Sequence, residues 1–229
     1  EMLLFKKMLK KIKFFHEMHE ESFPYLLKKR ITKLKTKKIL DNVDVLIFTN
    51  YSQVELYKRE FNELPQNFLT LPNGVEIDRF RNIKGKNNFV LTYLGQFNKW
   101  KNVELIFSSF SLLDKKYTLR IAGGKGDKSS KEYINGLINK YNIDKNRVNY
   151  LGFVSNNRIE DVLNGSSILL LPLGDNIQSQ YLTSPMKLFE YMSTKIPVIA
   201  VDYPTINLIA TSEEIYLTRN NAKFFTKTI

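Results

Sequence analysis

The stretch that decides the fold is SILLLPLGDNIQSQYLTSPMKLFEYMSTKIPVIAV, residues 167–201. It begins and ends with short apolar segments, Ser167–Leu171 and Pro197–Val201, whose length is typical of buried strands. Between them, Pro185–Ser193 has the apolar spacing of a helix. A strand, a helix and a second strand in this order predict a right-handed βαβ unit, which builds a parallel sheet.

The same alternation extends back to residue 89. Further strands are predicted at Phe89–Leu94, Tyr117–Ala122 and Arg147–Leu151, and further helices at Asn102–Leu113, Ser129–Tyr141 and Arg158–Leu163. The pattern predicts an α/β domain with a Rossmann-like parallel sheet covered by helices on both faces. Ligands of such sheets bind outside the carboxyl ends of the strands. We therefore expect the chemistry to lie after Leu94, Ala122, Leu151, Leu171 and Val201.

The amino-terminal third is predicted to belong to a second unit. Strands are expected at residues 12–18 and 43–48, and helices at residues 2–12, 21–40 and 52–61, the last capped by Ser52. Residues 81–88 are polar and predict a linker. The expected domains are 1–80 and 86–229; the resemblance described below implies that the first is part of a second Rossmann-like domain.

Composition limits the class of protein. The chain has 229 residues, of which 43% are hydrophobic and 25% charged, so whole-chain disorder and fibrous structure are excluded. The absence of cysteine excludes disulfides, thiolate zinc sites and iron–sulfur clusters, and it favours a reducing compartment. No apolar run reaches the roughly 18 residues of a membrane span. The net charge is +12, and in residues 1–40 twelve Lys and Arg against four Glu give +8. This excess fits solvated helix faces, an anionic membrane surface or a polyanionic partner.

Three phrases resemble known motifs but lack their spacing. Residues 122–129, AGGKGDKS, match neither the phosphate loop G-x-x-x-x-G-K-[ST] nor the dinucleotide motif G-x-G-x-x-G. His16 and His19 are one residue too close for the helical H-E-x-x-H zinc motif, and in a strand they face opposite sides. Gly165-Ser166-Ser167 begins a strand, whereas a nucleophile elbow ends one. No metal site is predicted.

The phrase SPMKLFEYM, residues 184–192, carries the chemistry. Ser184 can cap a helix and Pro185 suits its first position, so the helix begins at the carboxyl edge of the sheet. A helix amino terminus at this edge binds anions. Lys187 lies in the first turn, where a cation opposes the helix dipole and is favourable chiefly beside a bound anion. Glu190, one turn further, can accept from two ribose hydroxyls; the alternative is a solvated Lys187–Glu190 pair. Lys101, after the strand that stops at Gly95, points to the same crevice, which suits a nucleoside diphosphate better than nucleic acid.

The chain resembles family 4 glycosyltransferases of the GT-B architecture (glycosyl transferases group 1), in which two Rossmann-like domains face each other across a cleft. Six phrases carry the resemblance in the family's order: LPNGV at 71–75, YLG at 93–95 with Lys101, LRIAG at 119–123, YLGFV at 150–154, SPMKLFEYM at 184–192 and IPVIA at 196–200. The third of these ends at Gly123. The fifth is similar to a subgroup whose helix opens with Ser-Pro.

The resemblance implies a retaining enzyme that transfers a sugar from a nucleotide-diphosphate sugar without a metal ion or other cofactor. The implied donor-site residues are Gly95, Lys101, Gly123, Ser184, Pro185, Met186, Lys187 and Glu190. The implied catalytic residues are Glu190, which matches the second Glu of the family's pair, and His19, which resembles a cleft histidine of the acceptor domain. Two positions depart from the pattern: Leu182 stands where the first Glu is usual, and Gln96 where an Arg is usual.

The expected partners are the nucleotide-sugar donor, a saccharide or lipid-linked acceptor and an anionic membrane surface, with no nucleic acid. We expect a cytoplasmic enzyme of envelope polysaccharide or glycoconjugate synthesis, peripheral at the inner face of the membrane. Against the family pattern the chain is expected to be a fragment that lacks the start of the first domain and the last helix, and to be inactive by itself. Two alternatives remain: a nucleotide-sugar-binding module without transfer activity, and a basic protein that binds membranes or polyanions.

Overall fold

The protein forms two parallel sheets, one of three strands and one of six. The computed structural model describes residues 12–19 and 30–229. The predicted helix at residues 2–12 lies outside the described residues, except for Ile12, and so does most of the first half of the helix predicted at 21–40. Among the described residues, no helix is both long enough and apolar enough to cross a bilayer.

The three-stranded sheet, called here the smaller sheet, has the order β1-β2-β3. Its elements are β1 (Phe15–Met18), α1 (Arg30–Leu40), β2 (Val45–Phe48), α2 (Tyr51–Phe61) and β3 (Phe68–Thr70), and the short helix α3 (Ile77–Phe80) follows it. All its strand pairs are parallel. The carboxyl ends of the three strands therefore lie at one edge, and residues 19, 49 and 71 are the first to leave it.

The six-stranded sheet, called the larger sheet, has the order β6-β5-β4-β7-β8-β9 and is parallel throughout. Its elements are β4 (Val90–Gly95), α4 (Val103–Phe110), β5 (Thr118–Gly123), α5 (Lys128–Lys140), β6 (Val148–Tyr150), α6 (Ile159–Leu163), β7 (Ile168–Leu171), α7 (Met186–Ser193), β8 (Val198–Val201), α8 (Pro204–Asn207), β9 (Tyr216–Thr218) and α9 (Ala222–Thr228). This confirms the predicted α/β class with a Rossmann-like sheet.

Two strands and the cap of α2 differ from the expectations, and the helices α3, α8 and α9 were not predicted. β3 and β9 were not predicted, because each has only three residues and their apolar side chains stay partly exposed. The predicted cap Ser52 is wrong. α2 is capped by Asn50, whose side-chain oxygen accepts from the Gln53 N–H at 2.9 Å. The Ser52 hydroxyl instead donates to the Tyr181 carbonyl at 3.0 Å.

Each sheet has its own apolar core, and the loop after β7 packs against the core of the smaller sheet. The larger core surrounds β4, β5, β7 and β8 and includes Phe80 and Ile83. The smaller core contains Met18, Phe48 and Leu56 together with Leu182, which comes from the loop after β7. The loop of the larger sheet thus inserts an apolar side chain into the smaller core.

Candidate functional site

The strand order places a crevice between β4 and β7. Chain order runs outward from β4 to β5 and β6 on one side, and from β7 to β8 and β9 on the other. In open α/β sheets, ligands bind at such a reversal, outside the carboxyl ends of the two central strands. Here those ends are Gly95 and Leu171, so the crevice is bordered by the loops that lead to Lys101 and to α7.

The helix α7 is fixed to this edge by a buried tyrosine. The Tyr191 hydroxyl accepts from the Leu94 N–H at 2.9 Å, one residue before β4 ends. Tyr191 is fully buried, and burial raises the pKa of its hydroxyl, so it remains a neutral hydrogen-bonding group. This contact sets the position of Glu190 and Lys187 on the preceding turn.

Lys187 and Glu190 form an ion pair at the crevice. Lys187 Nζ lies 2.5 Å from Glu190 Oε2. The pair is not a solvated surface pair, because Glu190 is only 8% exposed and the Lys187 side chain 23%. A buried carboxylate with one paired oxygen retains acceptor capacity for further donors.

Lys101 is the second cation of the crevice. It ends the 3-10 turn Lys99–Lys101, and its Nζ lies 3.9 Å from the centroid of the Trp100 ring. Burial, together with repulsion from the Lys187 charge, lowers the pKa of Lys101 to about 8. The positive charges of Lys101 and Lys187 repel each other, and an anion bound by both would offset this repulsion. The arrangement therefore suits a diphosphate.

Ser184 does not cap α7, contrary to the prediction. The helix begins at Met186 with Pro185 in the cap position, and no side chain caps it. The Ser184 hydroxyl accepts from the Asn73 N–H at 3.3 Å, and the Asn73 side-chain amide donates to the Ser184 carbonyl at 3.0 Å. Ser184 is therefore hydrogen-bonded to the turn at residues 72–74, and the N–H groups of the first turn of α7 have no side-chain acceptor.

The two predicted glycines lie side by side at strand ends. Gly95 and Gly123 are partners in the β4–β5 register. Gly123 has a φ of +128°, and a Cβ there would come 1.8 Å from the Gly95 carbonyl oxygen. Close packing of two strand ends thus accounts for Gly123. Its contact with a ligand remains a prediction.

Arg79 is a further cation near Glu190, and it was not among the residues predicted from the sequence. It lies on α3, pairs with Glu160 and also donates to the Asn156 carbonyl. The hydrogen bond and the charge of Glu160, with a smaller contribution from Glu190, raise the pKa of its guanidinium. The sequence signal nearest to Arg79 is the family phrase at 71–75, which ends four residues before it.

Several hydrogen bonds join the two sheets. The side-chain amide of Asn50 donates to the Thr183 carbonyl at 3.0 Å, and that of Gln53 donates to the Leu182 carbonyl at 3.0 Å. Both side chains are fully buried. With the bond from Ser52 to Tyr181, these contacts form what we call the interdomain latch: the side chains of Asn50, Ser52 and Gln53 on the carbonyls of residues 181–183.

Beside the latch, the carboxyl edges of both sheets border a cleft of about 510 Å³. His19, Thr49 and Asn73 line it from the smaller sheet, and Gln178, Leu182, Thr183 and Ser184 from the larger one. His19 leaves β1 at this edge, as predicted. Its side chain is 60% exposed and its Nε2 lies 3.1 Å from Glu17 Oε1. Within the ranges described, no three His, Asp or Glu side chains cluster closely enough to hold a metal ion.

The chain is similar in sequence to known proteins. The sequence model of the family described as "Glycosyl transferases group 1" matches residues 74–229. An uncharacterized glycosyltransferase of Methanocaldococcus jannaschii is 24% identical over 196 residues, which are 81% of this chain and 46% of that protein. The chain therefore spans about half the length of this curated relative.

Solved structures show the same fold. The sucrose-phosphate synthase of Thermosynechococcus elongatus superposes with a TM-score of 0.75 at 18% identity, covering 99% of this chain and 60% of that one. HepE of Anabaena, solved with UDP and glucose, gives 0.74 at 13% identity, covering 96% and 62%. The family match spans more than half of the sequence, and the chain belongs to the glycosyl transferases group 1 family.

Proposed function

We propose that this chain carries the donor site of a retaining glycosyltransferase that takes a sugar from a nucleoside-diphosphate sugar. The observation that carries the proposal is the convergence of Lys101, Lys187 and Glu190 at the reversal point of the larger sheet. Two cations suit a diphosphate, and a buried carboxylate suits the vicinal hydroxyls of a ribose. We propose Gly95, Gly123 and residues 184–186 as the backbone around it, and the division into domains 1–80 and 86–229.

The proposed chemistry depends on charge placed before the reaction begins. As the bond from the sugar to the diphosphate breaks, negative charge grows on the leaving phosphate. Lys101, Lys187 and the amino terminus of α7 stabilise this charge, which is the role that a metal ion plays elsewhere. We therefore propose a reaction without a metal ion. His19, on the opposite wall of the cleft, is proposed to face the transferred sugar.

The test is isothermal titration with nucleoside diphosphates and the matching monophosphates. UDP is the first probe because HepE was solved with it, and GDP, ADP, CDP and dTDP follow. We expect one diphosphate to bind and its monophosphate to bind at least tenfold more weakly, since it lacks the group held by the two lysines. Equal affinity for both would contradict the diphosphate site. A transfer assay with the corresponding nucleotide sugar then separates an enzyme from a binding module.

We also propose that the basic amino-terminal segment contacts an anionic membrane, where a lipid-linked or envelope acceptor is found. In the described part of it, α1 exposes Leu34 (63%) and Ile39 (44%) next to the exposed Lys35 and Lys38. Apolar and basic side chains on one helix face favour an anionic lipid surface. Flotation with anionic vesicles should recover more protein than flotation with neutral ones, and equal recovery would contradict the proposal.

A further inference from the structure

The cleft contains a polar side chain that lacks a partner. Among the buried side-chain oxygen and nitrogen atoms of residues 12–19 and 30–229, Gln178 Oε1 is the one without a hydrogen-bond partner. Burying an acceptor without a donor costs free energy. Folded proteins keep such groups mainly where a ligand, an ion or a water molecule supplies the missing bond.

The backbone that carries Gln178 is held in place from both sides of the cleft. Gln178 opens a single π-helical turn, Gln178–Leu182, and the Thr183 N–H donates to the Gln178 carbonyl at 3.0 Å. The interdomain latch then holds the carbonyls that end this turn. Single π-helical turns occur frequently at functional sites. The turn thus presents Gln178 to the cleft from a fixed backbone.

The position of Gln178 suits the sugar rather than the nucleotide. It lines the cleft with His19, Thr183 and Ser184, and Ser184 lies two residues before α7 begins. A sugar attached to a phosphate at that helix terminus would therefore lie next to this cleft. Leu182, at the other end of the same turn, has no polar side-chain atom and is buried in the smaller core. Of the two residues of this turn that line the cleft, Gln178 is therefore the one whose side chain can bind a hydroxyl group.

We infer that the Gln178 carboxamide accepts a hydrogen bond from a hydroxyl group of the transferred sugar and thereby selects which sugar is used. The inference rests on the proposed function. A carboxamide provides an acceptor and two donors without charge, so it fits a neutral, hydroxylated hexose. The terminal torsion of glutamine is broad, so the amide can turn its oxygen toward the cleft when a sugar arrives.

The test compares two ligands that differ only in the sugar. The unchanged protein is titrated with UDP, GDP, ADP, CDP and dTDP, and the best binder and its glucose conjugate become the two probes. Gln178→Met, which keeps the length but removes the acceptor, should weaken binding of the conjugate about tenfold and leave the diphosphate within about twofold. Gln180→Met is the matched control. Its side chain lies in the same turn and bonds to Asp175 at 2.6 Å, and it should change neither affinity.

A second readout separates a hydrogen bond from a general effect on the turn. Conjugates of 2-, 3-, 4- and 6-deoxyglucose are titrated into both proteins. One deoxy conjugate should bind the unchanged protein and Gln178→Met equally, because it lacks the hydroxyl that Gln178 contacts.

Three outcomes would overturn the inference. The conjugate binds Gln178→Met as tightly as the unchanged protein; both probes weaken equally, which indicates a structural role; or every deoxy conjugate shows the same loss. If no diphosphate binds the unchanged protein, the proposed function fails first, and this inference fails with it.

Discussion

The two walls of the candidate site, the crevice of the larger sheet and the edge of the smaller sheet, are built differently. On the wall of the larger sheet, Glu190 is 8% exposed and ion-paired, Lys101 has a lowered pKa, and Tyr191 fixes α7, the helix that carries Glu190, to β4. On the wall of the smaller sheet, His19 is 60% exposed and contacts its near neighbour Glu17. Side chains that are held before binding lose little entropy when a ligand arrives. Residues of the larger sheet should therefore contribute most of the affinity for the donor nucleotide, and residues of the smaller sheet should contact the transferred sugar.

The largest effect is expected at Glu190. Glu190→Ala removes the acceptor of two charge-assisted ribose bonds, and such bonds contribute about 1.5–3 kcal/mol. Affinity for the nucleoside diphosphate should fall roughly ten- to 150-fold in an isothermal titration. Glu190→Gln keeps one acceptor and should lose less. Lys99→Ala is the control, because Lys99 is exposed at the start of the 3-10 turn that ends at Lys101. If Glu190→Ala binds the nucleoside diphosphate as tightly as the unchanged protein, Glu190 does not bind the ribose.

The next effect concerns the contact between the walls. Asn50→Ala removes the cap of α2 and leaves the buried Thr183 carbonyl without its donor, so the free energy of unfolding should fall by about 2–3 kcal/mol. Asn221→Ala is the matched control. Asn221 caps α9 by accepting from the Lys223 N–H at 2.9 Å, but it is exposed and outside the latch, so it should cost about 1 kcal/mol. Urea unfolding measures both, and equal losses would show that the latch contributes nothing.

The lowered pKa of Lys101 predicts a pH dependence of binding. Lys101 is charged below its pKa of about 8 and loses its charge as the pH rises through that value. The diphosphate favours the charged form, so affinity should fall about tenfold between pH 7 and pH 9. Titrations at several pH values measure this. Lys101→Met should bind more weakly at pH 7 and show a nearly flat profile, and an unchanged slope would assign the pH dependence to another group.

The smallest effect is expected at His19. His19→Ala should leave the affinity for the nucleoside diphosphate within about twofold, because His19 lies on the wall opposite the proposed phosphate site. Lys187→Ala, on the other wall, should bind the nucleoside diphosphate more weakly than the unchanged protein at low salt. The difference in affinity should shrink as the salt concentration increases, because the contribution of Lys187 is Coulombic. A diphosphate affinity that falls equally in both variants would remove the distinction between the walls.

The sequence predicted the parts of the fold that depend on local pattern. Strands such as β4 and β7 are continuous apolar runs because both faces are buried, and they were located to within one residue at most ends. β3 and β9 carry a weaker pattern because they are short and half exposed at sheet edges. The order of the six phrases sufficed to name the family.

The parts that failed depend on contacts across the chain. Ser184 has the sequence context of a helix cap, but Asn73, 111 residues earlier, binds its hydroxyl. Ser52 likewise looks like a cap, yet Asn50 fills that role while Ser52 reaches Tyr181. Gln178 lies in a loop without a recognisable pattern, and only the three-dimensional structure shows that its oxygen lacks a partner.

The most direct test of the donor site is a crystal structure of the protein with the nucleoside diphosphate that binds best. We expect diphosphate oxygens within hydrogen-bonding distance of Lys101 Nζ, Lys187 Nζ and the first N–H groups of α7, and ribose hydroxyls hydrogen-bonded to Glu190. A diphosphate bound elsewhere, for example at the glycine-rich turn after β5, would contradict it.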